Sequence, residues 1–383
     1  MSGLLLEQEF PRFSHAEYAR RHRALGLVMQ AHDVDHLLVV TDHRAGNAPQ
    51  WVTGWPGTVE AYVIFKPGER MAMHVEWFNH LPLAKRLANG VDVRWGEHRG
   101  MQKTIEELKR RGARRLGLIG PLAASKYKAL ESEFAVVLLD AEYVRLRLVK
   151  SEEETEWMRL AAAMSDAGFR ELLENTRPGL TERELANFVE RAYVGQGGTT
   201  FIHYIGVTSM AAPHICVPPQ FPSSRRVTPG DIVFCELSAS WWDYAGQVLR
   251  TFTVGTEPTA LYRDLHATAE AAFDAITGKI HHGTTMEEIV EASGVIEDRG
   301  FTIYDDLMHG FGGGYFPPIL GSRSRPAGPL PAMTLEENMT IVVQPNVVTP
   351  DHKAGVQVGE LVRVTRTGFE RLHSAPRGLL RAG

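Results

Sequence analysis

Residues 230–255, GDIVFCELSASWWDYAGQVLRTFTVG, form two apolar runs separated by an aromatic turn. Glu236 interrupts the first run, and the second, Gln247 to Val254, follows the turn. Two such runs around a short turn are typical of an antiparallel β-hairpin. The stretch therefore predicts an antiparallel sheet in the second half of the chain, with one carboxylate on it. Three roles are open to Glu236: metal ligand, catalytic group, or structural residue of the hairpin.

The bulk composition is that of a water-soluble, two-domain protein. At 383 residues the chain is too long for one ordinary core. The net charge of -5, with acids and bases interspersed, predicts no nucleic-acid binding. No apolar run approaches the roughly 20 residues of a membrane helix, and MSGLLLEQEF lacks the basic start of a secretion signal. Two cysteines cannot build a disulfide framework, so we expect a cytoplasmic location.

Two domains of different class follow along the chain. Strand-like and helix-like segments alternate through residues 1–148, which predicts an α/β domain. The composition shifts at 145–156, RLRLVKSEEETE, which is typical of a linker that enters a helix with Ser151 as N-cap and Glu154 three residues on. Residues 149–383 predict an α+β domain with antiparallel strands.

Polar residues fall inside apolar, turn-rich segments of this second domain. They are His214 in AAPHICVPP, Glu236 and Gln247 in the hairpin, His309 in LMHGFGGGYFPP, and Gln344 in VVQPNVV. One carboxylate and two histidines near strand ends or loops are a candidate acid/base constellation. Each histidine taken alone is equally compatible with a hydrogen-bonded structural role.

The order of these segments resembles the superfamily of creatinase, methionine aminopeptidase and Xaa-Pro aminopeptidase, which has the pita-bread fold. The resemblance covers nearly the whole chain and is carried by phrases in a fixed order: QWVTGW, VKSEEETEWMRLAAAM, PGLTERELA, APHI, PGDIVFCEL, RTFTVG, HGFG, LEENMTIVVQP and GVQVGELVRVT. It implies a creatinase-type α/β domain followed by a catalytic α+β domain with a curved antiparallel sheet.

The resemblance also implies where metal ligands would stand. The metallopeptidase members hold two metal ions with five residues: Asp, a second Asp eleven positions on, His of the HG loop, Glu before Pro, and a final Glu. In this chain those positions carry Glu236, Gln247, His309, Gln344 and Gly359. Only His309 is unchanged, and Glu236 keeps the charge on a longer side chain.

Charge favours a site that works without metal. Two divalent ions need several anionic ligands, whereas these five positions supply one carboxylate. A shift to Glu360 would turn that side chain to the other face of its strand. A single ion held by Glu236 and His309 remains an alternative.

The superfamily has metal-independent members, and this chain looks most like ectoine hydrolase and creatinase. Leu249 stands where creatinase has a Glu, which weakens a direct creatinase assignment. The resemblance implies hydrolysis of a C–N bond in a small amidine, cyclic amidine or amide. Glu236 would attack the substrate or activate water, and His214 would protonate the leaving nitrogen. His309 would orient the substrate, with Gln247, Gln344 and Tyr244 around it.

Three alternatives stay open: a lyase that abstracts a proton, a metal-dependent Xaa-Pro peptidase, and a catalytically inactive binding module. Two-domain relatives are homodimers in which the N-terminal domain of one subunit caps the site of the other. By that resemblance, Trp55 and Glu60 are candidate substrate contacts, and His203 is a candidate pocket residue beside His214.

Overall fold

The computed structural model describes residues 5–42 and 46–383, and the chain divides into two compact units. One unit ends at Arg147, and the other comprises Leu148–Gly383. Both have their own buried apolar core. Within the described residues, no helix is long and apolar enough to cross a membrane.

The first unit is α/β, as the sequence predicts. Its elements are α1 (His15–Ala31), β1 (His36–Thr41), α2 (Ala48–Thr53), β2 (Ala61–Phe65), β3 (Met71–Val75), a 3₁₀ turn (Phe78–His80), α3 (Leu81–Leu87), β4 (Val91–Trp95), α4 (Gly100–Arg110), β5 (Arg115–Ile119), α5 (Ala124–Glu131), β6 (Ala135–Leu138) and α6 (Asp140–Leu148). The strands that the structure describes form a mixed sheet in the order β4-β3-β2-β1-β5-β6.

The short helix α2 combines strand-like residues with signals that are typical of helix ends. Residues 48–53, APQWVT, include the β-prone Trp51 and Val52 but form the helix α2. Pro49 lies in its first turn, where a missing N–H costs nothing. Gly54 follows it in the left-handed conformation, at φ 85°. These two helix-end signals outweigh the strand-like composition.

The second unit is α+β. Its elements are α7 (Glu152–Asn175), α8 (Glu182–Val194), β7 (Thr199–Ser209), β8 (Asp231–Trp241), β9 (Tyr244–Val254), α9 (Ala260–Thr277), α10 (Met286–Ala292), α11 (Val295–Asp298), β10 (Thr302–Ile303), β11 (Met308–Phe311), β12 (Tyr315–Leu320), β13 (Thr340–Val343), β14 (Val347–Val348), β15 (Gly359–Val364), β16 (Phe369–Arg371) and β17 (Leu380–Ala382). In the part of the chain that is described, its main sheet has the order β12-β11-β13-β15-β9-β8-β7, and all neighbours along this path are antiparallel.

The entry to α7 has the predicted capping box. The Ser151 side chain accepts from the Glu154 N–H, and the Glu154 side chain accepts from the Ser151 N–H. The predicted linker over 145–156 is partly wrong, because α6 extends to Leu148. The irregular connection is therefore only the few residues between α6 and α7.

The two faces of the central strands have different neighbours. Helix α7 packs against one face, so closely that a Cβ on Gly246 would lie 2.4 Å from the Ala162 backbone. Side chains alternate between faces along a strand. Since Tyr244 and Gly246 share the helix face, Gln247 and Leu249 lie on the other face, and their cross-strand partners Ser238 and Glu236 lie there with them. The candidate site is built on this second face.

Candidate active site

Glu236 lies on β8, an inner strand of the main sheet. It pairs with Leu249 on β9 and with Tyr204 on β7, so strands flank it on both sides. Burial, together with the charges of Asp305 and Asp306, raises the pKa of Glu236 to about 8. A carboxyl with such a pKa takes up and releases protons near neutral pH, as an acid/base catalyst must.

Gln247 is the direct partner of Glu236. Its side chain is fully buried, and its amide Nε2 donates a hydrogen bond to Oε1 of Glu236. This bond opposes the rise in the pKa of Glu236, but burial and the two aspartates have the larger effect. The structure thus brings together the two hairpin residues that the sequence singled out.

His309 lies on the same face, on β11. It pairs with Val342 and Ile319, and its ring is fully buried. Its Nδ1 lies 3.0 Å from the carbonyl oxygen of Gly310, which only accepts, so Nδ1 carries the proton. Burial lowers the pKa of His309, against the opposing charge of Asp306, so the ring is neutral and its Nε2 is an acceptor. Tyr315 stacks on the ring at 3.9 Å between centroids.

Gln344 completes the group of predicted residues that converge. It is buried and directly follows β13, and its amide Nε2 donates to the carbonyl oxygen of Asp306 at 3.3 Å. A hydrogen bond involving Gln344 also raises the pKa of His309. Glu236, Gln247, His309 and Gln344 therefore belong to one connected polar site.

Asp305 and Asp306 belong to the site but are absent from the sequence-based prediction. They precede β11, and their charges act on the pKa of Glu236. Burial and the charge of Asp306 raise the pKa of Asp305 to about 7, and its Oδ2 accepts from Asn346 at 3.1 Å. The signal was present as two adjacent acids three residues before His309, inside an otherwise apolar segment.

Gly359 has no side chain that could bind a metal. The backbone of a neighbouring strand occupies the space that a side chain at this position would need. A Cβ added there would lie 2.4 Å from the Val343 carbonyl oxygen and 2.8 Å from Cα of Gln344. Glu360 lies on the opposite face, where it pairs with Arg250 at 2.6 Å and with Arg371. Glu360 therefore does not replace the missing fifth ligand.

His214 lies in a loop at the end of β7. It is exposed, and its Nδ1 is 2.9 Å from the hydroxyl of Thr208. The sequence expects His214 beside Glu236, but its hydrogen-bond partner is Thr208, four residues along the strand from Tyr204, the neighbour of Glu236. Its role as a proton donor stays a prediction.

The structure does not bring two other candidates to the site. His203 is on the helix face, where its Nε2 lies 3.0 Å from the Tyr193 hydroxyl. Tyr244 is also on that face, and its hydroxyl donates to Glu154 at 2.8 Å. Both miss the site because side chains alternate along a strand, and a one-residue difference reverses the face.

Trp55 and Glu60 belong to the first unit. Trp55 is buried there, and Glu60 accepts from the hydroxyl of Tyr62 at 2.7 Å and pairs with Lys126. Their predicted contact with substrate in a partner subunit is untested and stays a prediction.

The residues present do not fit the pair of metal ions that the fold family implies. Among the five ligand positions, Gln247 and Gln344 offer neutral amide oxygens where the peptidases have carboxylates, and Gly359 has no side chain. In residues 5–42 and 46–383, no three His, Cys, Asp or Glu side chains are arranged to hold a metal ion. Asp305 and Asp306 return negative charge to the site but do not complete such a group.

An α/β unit followed by an antiparallel sheet with a polar site on one face defines the two-domain pita-bread class. The sequence pattern of Metallopeptidase family M24 matches residues 156–366, more than half of the chain, and the chain belongs to that family. It is accordingly a hydrolase related to the peptidases.

Solved structures share the whole fold. The Xaa-Pro dipeptidase from Bacillus anthracis superposes with a TM-score of 0.82 at 22% identity, covering 95% of this chain and 99% of that one. The prolidase from Pyrococcus horikoshii OT3 gives 0.80 at 21% identity, covering 94% and 100%. The predicted pita-bread fold is confirmed.

Among sequence relatives, the uncharacterized peptidase YqhT of Bacillus subtilis (strain 168) is 25% identical over 362 residues, 91% of this chain and 96% of the relative. The Xaa-Pro dipeptidase of Lactobacillus delbrueckii subsp. lactis is 28% identical over 259 residues, 65% of this chain and 67% of the relative. By family and by named relatives, the comparisons favour the peptidase alternative over the metal-independent hydrolase.

Proposed function

We propose that this protein is a metal-independent hydrolase of a C–N bond in a small nitrogenous compound, with Glu236 as nucleophile or general base. The observation that carries the proposal is the donor set. Four of the five positions that ligate metal in the peptidases have changed, and the fifth ligand's place is sterically closed at Gly359. Family membership supports hydrolysis, and the altered site supports a different way of performing it.

Each of the three buried residues Glu236, His309 and Gln247 has its own role in the proposed reaction. Glu236, as carboxylate, takes a proton from the attacking water or attacks the electrophilic carbon itself. Neutral His309 offers its Nε2 to a substrate N–H, because its Nδ1 is committed to Gly310. Gln247 holds the carboxyl of Glu236 in one orientation.

Proton balance requires an acid for the leaving group. The leaving nitrogen must gain a proton as the C–N bond breaks. We assign this proton to His214, which is exposed on a loop, or to Glu236 after it has taken the proton from water. Comparing His214→Ala with Glu236→Gln separates these two routes, since only the first route depends on His214.

A metal-dependent Xaa-Pro dipeptidase is the second candidate. The observation that favours it is the family itself, together with the Xaa-Pro dipeptidase among the sequence relatives. It requires metal ions to be held by a site in which Gln247 and Gln344 replace carboxylates. The two candidates differ in metal content and in substrate.

The decisive experiment measures metal and activity on the same sample. Purified protein is analysed for bound metal and assayed with amidines, cyclic amidines, N-acyl amino acids and Xaa-Pro dipeptides, with and without a chelator. We expect substoichiometric metal, activity unchanged by chelator, and activity abolished by Glu236→Gln. Stoichiometric metal that is required for cleavage of Xaa-Pro dipeptides would establish the second candidate instead. Elimination products in place of hydrolysis products would identify a lyase.

By resemblance to the two-domain relatives, we also propose a homodimer that acts in the cytoplasm. The solution mass, measured by light scattering, tests the dimer. Loss of activity in a Glu60→Gln variant with an unchanged melting temperature would support a contribution of the first unit to catalysis.

A further inference from the structure

The first unit contains a groove that has no part in the proposed reaction. Its volume is about 840 Å³, which is within the roughly 300–1,000 Å³ that is typical of small-molecule sites. One wall is a face of α1 between His15 and Leu27, where the lining residues recur every three or four positions. The other wall includes the turn between β2 and β3, residues 66–69. The groove therefore lies entirely within one compact unit.

The floor of the groove is apolar and aromatic. Tyr18 and Phe65 are each at most 5% exposed, whereas Leu27 on the wall is 67% exposed. The ring of His22 contacts both aromatic rings, with its centroid 6.4 Å from that of Tyr18 and 5.4 Å from that of Phe65. Its Nε2 lies 2.8 Å from the carbonyl oxygen of Val52, and burial lowers the pKa of His22, so the ring is neutral. The floor is an uncharged surface that an apolar ligand can cover.

One charged side chain of the groove has no partner in the protein. Arg20 and Arg21, its neighbours on α1, both pair with Glu17. Arg23 is exposed and has no acid three or four positions away on the helix. Within residues 5–42 and 46–383, its guanidinium has no hydrogen bond or ion pair. The guanidinium is therefore available to pair with a ligand.

The remaining charges of the groove do not neutralise Arg23. Among the described residues that line the groove, the acid is Glu69, and it pairs with Lys66 at 2.7 Å and with Arg111 at 3.6 Å. One uncompensated guanidinium beside an apolar floor is complementary to an apolar molecule with a single anionic group. A carboxylate brings one negative charge, whereas a phosphate monoester brings nearly two. The charge balance therefore favours a carboxylate.

We propose that this groove is a binding site for a small amphipathic monocarboxylate, an acid with an aliphatic or aromatic body. Its carboxylate accepts two parallel hydrogen bonds from the guanidinium of Arg23. Its body covers Leu27 and the rings of Tyr18 and Phe65, which removes their apolar surface from water. The inference is independent of the proposed function, because every residue of the groove belongs to the first unit.

The first test separates the charge of the ligand from its apolar body. 4-Phenylbutyrate has both, 4-phenylbutanamide has the body without the charge, and acetate has the charge without the body. Binding of each probe to the full-length protein is measured by ligand-observed NMR at pH 7.5. We expect 4-phenylbutyrate to bind at least tenfold more tightly than either of the other two probes. Equal binding of the acid and its amide would overturn the proposal.

Two substitutions locate the bound acid. Arg23→Gln should weaken binding of 4-phenylbutyrate at least tenfold and leave binding of 4-phenylbutanamide unchanged. Ala19→Phe, at a half-buried position that lines the groove, should weaken both because the added ring occupies the space for the body. Arg183→Gln, at an exposed arginine of α8, is the matched control and should change neither. An unchanged affinity for 4-phenylbutyrate in folded Arg23→Gln would overturn the proposal.

Two further measurements distinguish the groove from other sites for the acid and from a contact between copies of the chain. Glu236→Gln should leave the affinity for 4-phenylbutyrate unchanged, whereas a lost affinity would place the acid at the polar site of the second unit and overturn the proposal. Leu27→Ser should leave the solution mass unchanged in sedimentation velocity. A mass that Leu27→Ser halves would show that a second copy covers the groove, which would also overturn the proposal.

Discussion

The main sheet of the second unit carries a buried glutamate on each face, and the pKa values of these two carboxyls are shifted in opposite directions. On the face away from α7, burial and neighbouring acids raise the pKa of Glu236 to about 8. On the helix face, burial opposes ionisation of Glu360, but Arg371 and Arg250 hold the pKa of that carboxyl below its ordinary value. Two buried glutamates on neighbouring parts of one sheet are therefore held in different protonation states.

The difference separates structural from functional burial. Glu360 accepts from Arg250 and Arg371, and Arg250 also donates to the carbonyl oxygens of Gly359, Ala375 and Pro376. Every charge there has protein partners, which is what stability requires. On the Glu236 face, Oε1 of Gln247 is buried without a hydrogen-bond partner among the described residues. An unpaired acceptor costs stability and is retained where a ligand supplies the partner.

The largest expected effect is on catalysis. Glu236→Gln keeps the shape of the side chain and removes the base, so kcat/KM should fall by about 10³-fold. The melting temperature should not fall, because a poorly compensated buried carboxyl is replaced by an amide. Glu291→Gln, an exposed residue of α10, is the matched control and should leave both quantities unchanged. Retention of more than a tenth of the activity would remove Glu236 from its catalytic role.

The corresponding Glu→Gln substitution on the helix face, at Glu360, should lower stability. Glu360→Gln leaves the buried guanidinium of Arg250 without its carboxylate, which should cost about 3 kcal/mol of unfolding free energy. Urea denaturation measures the loss, and the pH-activity profile of the folded fraction should remain that of the unmodified protein. A loss below about 0.5 kcal/mol would mean that Glu360 is no more important than a surface ion pair.

The sequence predicts which side chains lie on the Glu236 face much better than which lie on the helix face. The alternation of β8 and β9 and the spacing from Glu236 to Gln247 correctly place these two side chains together. His203 and Tyr244 are predicted by nearness in sequence, yet strand alternation sends them to the helix face. Proximity along the chain is a poor guide inside a sheet, because adjacent residues point in opposite directions.

Asp305 and Asp306 show a second limit of the sequence. Their loop reaches Glu236 only because β11 lies in a distant part of the sheet order, separated from β8 by three strands. No local pattern reports such long-range pairing. The fold class, by contrast, depends on many segments in a fixed order, and it could be predicted in full.

Adding a side chain at Gly359 should lower the unfolding free energy less than breaking the ion pair between Arg250 and Glu360. Gly359→Ala places a Cβ 2.4 Å from the Val343 carbonyl oxygen, so the strands must separate, at a cost of about 2 kcal/mol. The measurement is urea denaturation, with Gly368→Ala as control, since only a 4.0 Å contact awaits a Cβ there. Gly359→Glu should likewise fail to create metal binding in equilibrium dialysis. Tight, stoichiometric Mn²⁺ binding by that variant would contradict the view that the site has lost its metal geometry.

The pH dependence should follow the raised pKa of Glu236. Because catalysis needs the carboxylate, kcat/KM should rise about tenfold per pH unit below pH 8 and level off above it. Stability should move the other way. The folded state retains a proton that the unfolded state releases near its ordinary pKa of 4.5, so stability falls as the pH rises from about 5 to 8. Thermal melts of Glu236→Gln should lose part of this slope, and an activity maximum below pH 6 would contradict the assignment.

The smallest effect is expected at His203, on the helix face. His203→Gln removes a buried ring that contacts the Tyr193 hydroxyl at 3.0 Å and whose pKa burial lowers to about 4. The loss of that contact should cost about 1 kcal/mol of stability, while kcat/KM changes less than about threefold. Tyr193→Phe removes the same hydrogen bond from the other side, so the double variant should lose less than the sum of the single ones. A hundredfold fall in kcat/KM with an intact melting curve would return His203 to the site and would mean that the two faces are coupled in catalysis.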